Sequence, residues 1–257
     1  MTQPERTGSA IMPASDMAPA TVREGQSVAL VHGRLRTAVL QGELEPGSTV
    51  SQARLARDYG AGRTPLREAL RMLQWEGLVI SSPNQRVRIA GLTAEDFEEI
   101  LIARLALETV AVRVTVPTLT SADVARLEGD MAQMDHFQRT GDGAGLRGPH
   151  RSFHHTLVAA AGKRVNTSIG ELTDYAERYR RRFGASGNWD DRRAEHRAIL
   201  DAATAGDADL AARRLTEHYL RTAPIVFDAL GRDHDLTRLR IAVGAVTPGA
   251  ETDLADC

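Results

Sequence analysis

Cysteine is all but missing from this 257-residue chain, the only one being Cys257 at the very end. A lone cysteine excludes an intramolecular disulfide and makes a cytosolic setting the default. Lysine is equally scarce, with Lys163 alone, which reads as the codon bias of a GC-rich genome. Aromatic residues make up 4% of the chain, so any core must rest on Leu, Val, Ile and Ala. No stretch comes near the 18 or so uncharged apolar residues that a membrane span needs, so no membrane partner is expected. The opening residues MTQPERTGSA lack the apolar run of a signal peptide. The formal net charge of -2 does not by itself advertise nucleic acid. What remains is an ordinary soluble balance, 42% hydrophobic and 26% charged, over a length suited to one large or two modest domains.

Residues 1 to 26 carry no apolar periodicity and are expected to be a disordered lead-in. From Ser27, SVALVHGRLRTAVLQG spaces Val28, Val31, Leu35 and Val39 three or four apart, an amphipathic helix closed by Gly42. ELEPGS follows as a turn. Ser51 then caps a short helix, SQARLARDY, that stops at Gly60. GRTPLREALRMLQWEGLV supplies a third helix with Leu66, Ala69, Leu70 and Leu73 on its inward face. Pro65 is tolerated in the first turn, where its missing N–H has no helical partner anyway. LVI and VRI, separated by SSPNQR, predict a small β-hairpin. Three short helices and a hairpin form a winged helix-turn-helix pattern.

Charge separates along the chain. Ser27 to Gly91 holds nine arginines against five acids, so the remainder is clearly acidic. Arg63, Arg67 and Arg71 recur every four residues on one stripe of the third helix, away from its apolar face. A recognition helix needs that division: one face seated on its domain, and arginines free to clamp phosphates or bond guanine edges. Double-stranded DNA is the partner these residues predict.

GELEPGSTVSQARLARDYGAGRTPLREALRMLQWEGLV resembles the DNA-binding domain of the GntR family of bacterial transcription regulators. The resemblance implies that Arg63, Thr64 and Arg67 contact the operator, with Arg54, Arg71 and Arg86 as further candidates. Two positions depart from the family pattern. Gly62 stands where a capping serine is usual, and glycine caps less strongly. In the wing, NQR replaces an Arg-Gly turn, so Arg86 occupies a glycine position and Asn84 becomes the candidate for the left-handed turn residue.

Thr93 to Leu230 reads as six helices with short connections, an antiparallel bundle. GDGAGLRG is expected to be a loop, with Pro149 opening the third of these helices. This half resembles the FCD-type effector domain of the FadR-like subgroup, on looser motifs: Arg104 and Glu108, Phe153 and His154, EHRAIL at Glu195 to Leu200, and His218. His150 and His154 are i and i+4 and share one helix face, so they can hold one ion between them. His196 and His218 come from two later helices, as a site inside a bundle requires. The resemblance implies a metal site with an Asp and a His four apart plus one His from each later helix. This chain has His150 where the pattern has Asp, which either makes the site all-imidazole or abolishes it and leaves a metal-free pocket.

An all-imidazole site favours Zn or Ni, with Co and Cu, over Mn or Mg. Four imidazoles also leave about +2 on a divalent ion, which should draw an effector carboxylate toward it. Arg104, on an apolar helix, is either an i, i+4 ion pair with Glu108 or the carboxylate anchor. Tyr175, Arg178 and Tyr179 either line the same cavity or serve packing.

The expected fold is mainly α: a winged helix-turn-helix with a β-hairpin wing over 27–91, an antiparallel helical bundle over 93–230, and a tail over 231–257. Within that tail, LTRLRIAVGAV fits a strand or a short packed helix. The function expected is a cytoplasmic, ligand-responsive repressor, a homodimer on a pseudo-palindromic operator, controlled by a small organic acid at a metal-containing pocket. The alternatives are a regulator that answers to metal alone and a zinc-dependent enzyme. The latter lacks an HExxH motif or a convincing carboxylate base.

Overall fold

The first helix, α1 (Glu24–Gln41), ends at Gly42, whose φ of 79° closes it in the left-handed region. The computed structural model describes residues 24–82, 86–183, 189–231 and 234–248. Most of the expected lead-in, Asn84 and Cys257 lie outside the described residues. Helix α2 (Gln52–Asp58) is capped by Ser51, whose hydroxyl accepts from the Arg54 N–H. Helix α3 (Arg63–Trp75) starts from Gly62 with no side-chain cap and buries Leu66, Ala69, Leu70 and Leu73. These meet Val31, Leu35 and Val39 of α1 in one apolar cluster.

The wing is larger than a hairpin. Strands β2 (Val79–Ser82) and β3 (Arg86–Ile89) pair antiparallel, and β1 (Thr49–Ser51) adds on the far side of β3, giving the order β1-β3-β2. The segment after ELEPGS was expected to go straight into α2. Instead Val50 pairs with Val87, and both bury their side chains on the core face of the sheet.

The second half is built around α4 (Ala94–Thr115), which packs against α6 (Gly143–Val158), α7 (Lys163–Phe183), α9 (Ala208–Leu230) and α10 (Thr237–Val246). Helix α5 (Ser121–Thr140) lies on α6 and on α8 (Trp189–Thr204). Thr93 caps α4, and Thr120 with Asp123 forms a capping box on α5.

Two expectations need correcting. GDGAGLRG is not a loop: α6 begins at Gly143, because Asp142 Oδ1 accepts from the N–H groups of Ala144 and Gly145 at 3.1 and 2.8 Å. Pro149 therefore lies inside the helix. Gly145 is required there, since a Cβ would fall 2.5 Å from the Phe137 ring of α5. The bundle also does not end at Leu230. Leu239 and Val243 of α10 are fully buried in its core. Buried Glu98 of α4 pins that helix by accepting from the Leu239 N–H at 3.1 Å and from Arg238 Nη2 at 2.6 Å.

Candidate metal centre and DNA-contact face

Four histidines converge inside the bundle. His150 and His154 stand one turn apart on α6, His196 comes from α8 and His218 from α9. One ring nitrogen from each lies within 4.8 Å of those of the other three. His154, His196 and His218 are buried, and His150 is half-buried.

Two hydrogen bonds fix how the rings present themselves. His196 Nδ1–H donates to the Arg192 carbonyl one turn back, at 2.7 Å. His218 Nδ1–H donates to Glu195 Oε2, also at 2.7 Å. In both rings Nε2 is left as the ligand atom, the arrangement by which outer partners orient metal-bound imidazoles. Buried His196 Nε2 and both ring nitrogens of His154 have no hydrogen-bond partner among the described residues. Buried nitrogens without partners are costly, and one divalent ion can take His196 Nε2 together with one nitrogen of His154, so the donor set fits a metal. Burial first, then the fields of His196 and Arg180, hold the His150 pKa well below the usual imidazole range. Burial, with His218 next, pushes His196 down to about 3. These rings resist protons while keeping lone pairs for a metal.

The histidines form one wall of a cavity of about 340 Å³. Among the described residues six arginines and a single acid, Glu177, also line it. Arg104 is one of them, and both readings of it meet here. Its Nε bonds Glu108 and its Nη2 bonds the Tyr219 hydroxyl, each at 2.7 Å, while that hydroxyl donates to Glu108. The pair with Glu108 is buried rather than exposed, and Arg104 still borders the cavity. Glu195, which the sequence offered only inside the EHRAIL motif, puts a carboxylate one ring away from the metal position. The charge left by replacing Asp is therefore partly offset through His218.

On the other domain, Arg63, Thr64, Arg67, Arg71 and Arg86 are all exposed, as is Arg54. They are not equivalent. Arg54 pairs with Asp58 and Arg71 with Glu68, each at 3.2 Å. Among the described residues Arg63 and Arg67 have no carboxylate partner, so they lose least on turning to phosphate or base.

Residues 29–89 match the family described as bacterial regulatory proteins, gntR family, and residues 99–221 match the FCD domain. A probable D-xylose utilization operon transcriptional repressor of Paenarthrobacter nicotinovorans is 30% identical over 194 residues, covering 72% of this chain and 82% of that protein. The chain belongs to the GntR family of bacterial transcriptional regulators. The HTH-type transcriptional repressor GlaR of Escherichia coli (strain K12) is 28% identical over 208 residues, 76% of this chain and 94% of GlaR. The solved structure of E. coli McbR/YncC shares the fold of this GntR protein, with a TM-score of 0.68 at 22% identity over 80% of this chain and 99% of that one. Family and relatives are transcriptional regulators rather than enzymes, and members of the family bind DNA. Among the described residues no helix is long and apolar enough to cross a membrane.

Two expected effector residues of this GntR regulator lie elsewhere. Arg178 donates to the Ala90 carbonyl at 2.9 Å, at the end of the winged-helix domain. Tyr175 packs against both apolar cores, on the domain boundary. Neither borders the cavity, because roughly 100° of helix turn per residue separates them from Ala176, Glu177 and Arg180, which do. Tyr179, buried beside them, donates to Asp96 and accepts from the Thr93 N–H.

The depressed histidines make the metal-free protein acid-sensitive. An unfolded imidazole takes its proton near pH 6.5, whereas folded His196 refuses it until about 3. Stability is thus fully present above 6.5 and falls with pH below it, by ~1.4 kcal/mol per pH unit per histidine so held. In chelator-treated protein, urea midpoints between pH 6.5 and 4 should fall more gently for His196→Gln than for wild type, by about one proton's slope. Equal slopes would contradict the assignment.

Proposed function

We propose that this GntR protein is a ligand-responsive repressor that binds a pseudo-palindromic operator as a homodimer, controlled by a small organic acid in the cavity above a four-histidine metal site. The observation that carries the reading is the convergence of His150, His154, His196 and His218 with unpartnered nitrogens on a cavity rich in arginine. A cavity of about 340 Å³ has room for an organic ligand beside an ion, which favours it over a response to metal alone. Two relatives, the D-xylose operon protein and GlaR, are named repressors.

A bound divalent ion would supply a Lewis-acidic position facing the cavity. The chain's own residues do the rest. His196 and His218 are held in register by Arg192 and Glu195, and the arginine walls compensate an entering carboxylate. Arg63 and Arg67 take the operator, with Thr64 beside them at the start of α3. Arg54, Arg71 and Arg86 contribute after giving up local partners or from the wing. A second copy is supported by the uncharged stripe of Ala106, Val110 and Val114 that α4 leaves exposed.

Elemental analysis tests the metal half of this reading. Untagged protein should hold about one transition metal per chain, zinc or nickel, and His150→Ala should lose it. Manganese should compete poorly. Equal affinity for zinc and manganese, or no metal after zinc is supplied, would contradict the site.

The DNA half is tested on a duplex selected from random sequence by the wild-type protein. Arg67→Ala should weaken binding about tenfold or more, since a bidentate base contact contributes ~1–3 kcal/mol. Arg71→Ala should cost less, because Arg71 must first release Glu68. The reverse ranking would contradict the assignment.

A further inference from the structure

The two domains are joined by a chain of charges that begins in the cavity wall and ends on the recognition helix. Arg151 of α6 lines the cavity and donates from Nη1 to Asp174 Oδ1 at 2.5 Å. The other oxygen of the same carboxylate, Oδ2, accepts from Arg36 Nη1 of α1 at 3.0 Å. Arg36 in turn donates from Nε to Glu76 Oε2 at 2.9 Å. Glu76 is the C-cap residue of α3, and its second oxygen is held by His32. The cavity wall therefore reaches the end of the recognition helix through three ion pairs, over a sequence separation of 138 residues between Arg36 and Asp174.

Asp174 is the shared member. One negative charge serves two guanidiniums, one in each domain, and each weakens the hold of the other. Asp174 and Arg36 are only about a fifth exposed, so screening does not erase this competition. Arg151 is more than half exposed and faces whatever the cavity holds.

We propose that Asp174 is the positioning residue that reports cavity occupancy to the DNA-binding domain: an anion that claims Arg151 hands the Asp174 carboxylate to Arg36, which firms the tie between α7 and α1 and draws Arg36 off Glu76 at the end of α3. The proposal rests on the reading of the cavity as an effector site. The direction of the change follows from charge sharing: fewer cations on Asp174 mean a firmer Arg36. Arg178, bonded to the Ala90 carbonyl from the same flank of α7, keeps that helix seated while the carboxylate changes partners.

The coupling can be tested without knowing the effector, because Arg151→Gln removes the same positive charge that an anion would neutralise. Amide hydrogen exchange in α1 and across Met72–Gly77 is measured on the full, metal-free chain for wild type, Arg151→Gln, Arg151→Lys, Asp174→Asn and the Arg151→Gln/Asp174→Asn double variant. Arg151→Gln should slow exchange in α1 by about threefold or more and speed it across Met72–Gly77, and Arg151→Lys should stay near wild type. Asp174→Asn should speed exchange in α1 and slow it across Met72–Gly77, and the double variant should match Asp174→Asn alone. A merely structural Arg151 would speed exchange in both segments when lost and would add to the Asp174 effect. Unchanged or faster exchange in α1 of Arg151→Gln, or an effect that survives in the Asp174→Asn background, would overturn the proposal. Zinc uptake by the same variants after reconstitution reports separately on the metal site, so the coupling and the reading of the site can fail independently.

Discussion

Four imidazole rings brought together inside a helical bundle set the terms for the rest of this molecule. Burial holds the pKa of His150, His154 and His196 below the usual imidazole range, and three ring nitrogens of the four have no partner among the described residues. Helices α6, α8 and α9 must nevertheless keep the rings facing one another, and they do so by means the chain carries itself. The Arg192 carbonyl and the Glu195 carboxylate hold two of the rings by Nδ1. The buried triad of Arg104, Glu108 and Tyr219 ties α4 to α9 at the neighbouring wall. A polar cluster of this kind is stable only when every member is satisfied, which is the strongest physical reason for assigning it a ligand.

Helix α7 gives that site its reach. One flank, with Ala176, Glu177 and Arg180, borders the cavity. The other flank carries Asp174, Tyr175 and Arg178 to the winged helix. A rigid helix with one face on each domain is a natural carrier for coupling between a ligand and DNA, since what displaces one face must displace the other.

The winged helix was legible in the sequence because its signals are local. Apolar residues three or four apart marked α1 and α3, and Gly42, Gly60 and Gly77, all at positive φ, marked their ends and that of α2. Strand β1 was not legible, being three residues long and defined only by its distant partner β3. The start of α6 was hidden by glycines that read as a loop but fit under Phe137. For α10, LTRLRIAVGAV is too short for periodicity to choose between strand and helix, and only packing on α4 decides it. At the site, the spacing of His150 and His154 was explicit in the sequence, while His196 and His218 became plausible through resemblance. Tyr175 and Arg178 were placed on the correct helix but the wrong flank. The chain from Arg151 through Asp174 to Arg36 leaves no sequence pattern, because it depends on how two domains meet.

If the four histidines are one metal-binding unit, X-ray absorption at the zinc edge will show it on protein reconstituted with one equivalent of zinc. The expected spectrum has a shell of nitrogen at about 2.0–2.1 Å with the outer scattering of four imidazoles. Sulfur at about 2.3 Å, which would implicate Cys257, or fewer than three imidazoles, would contradict it.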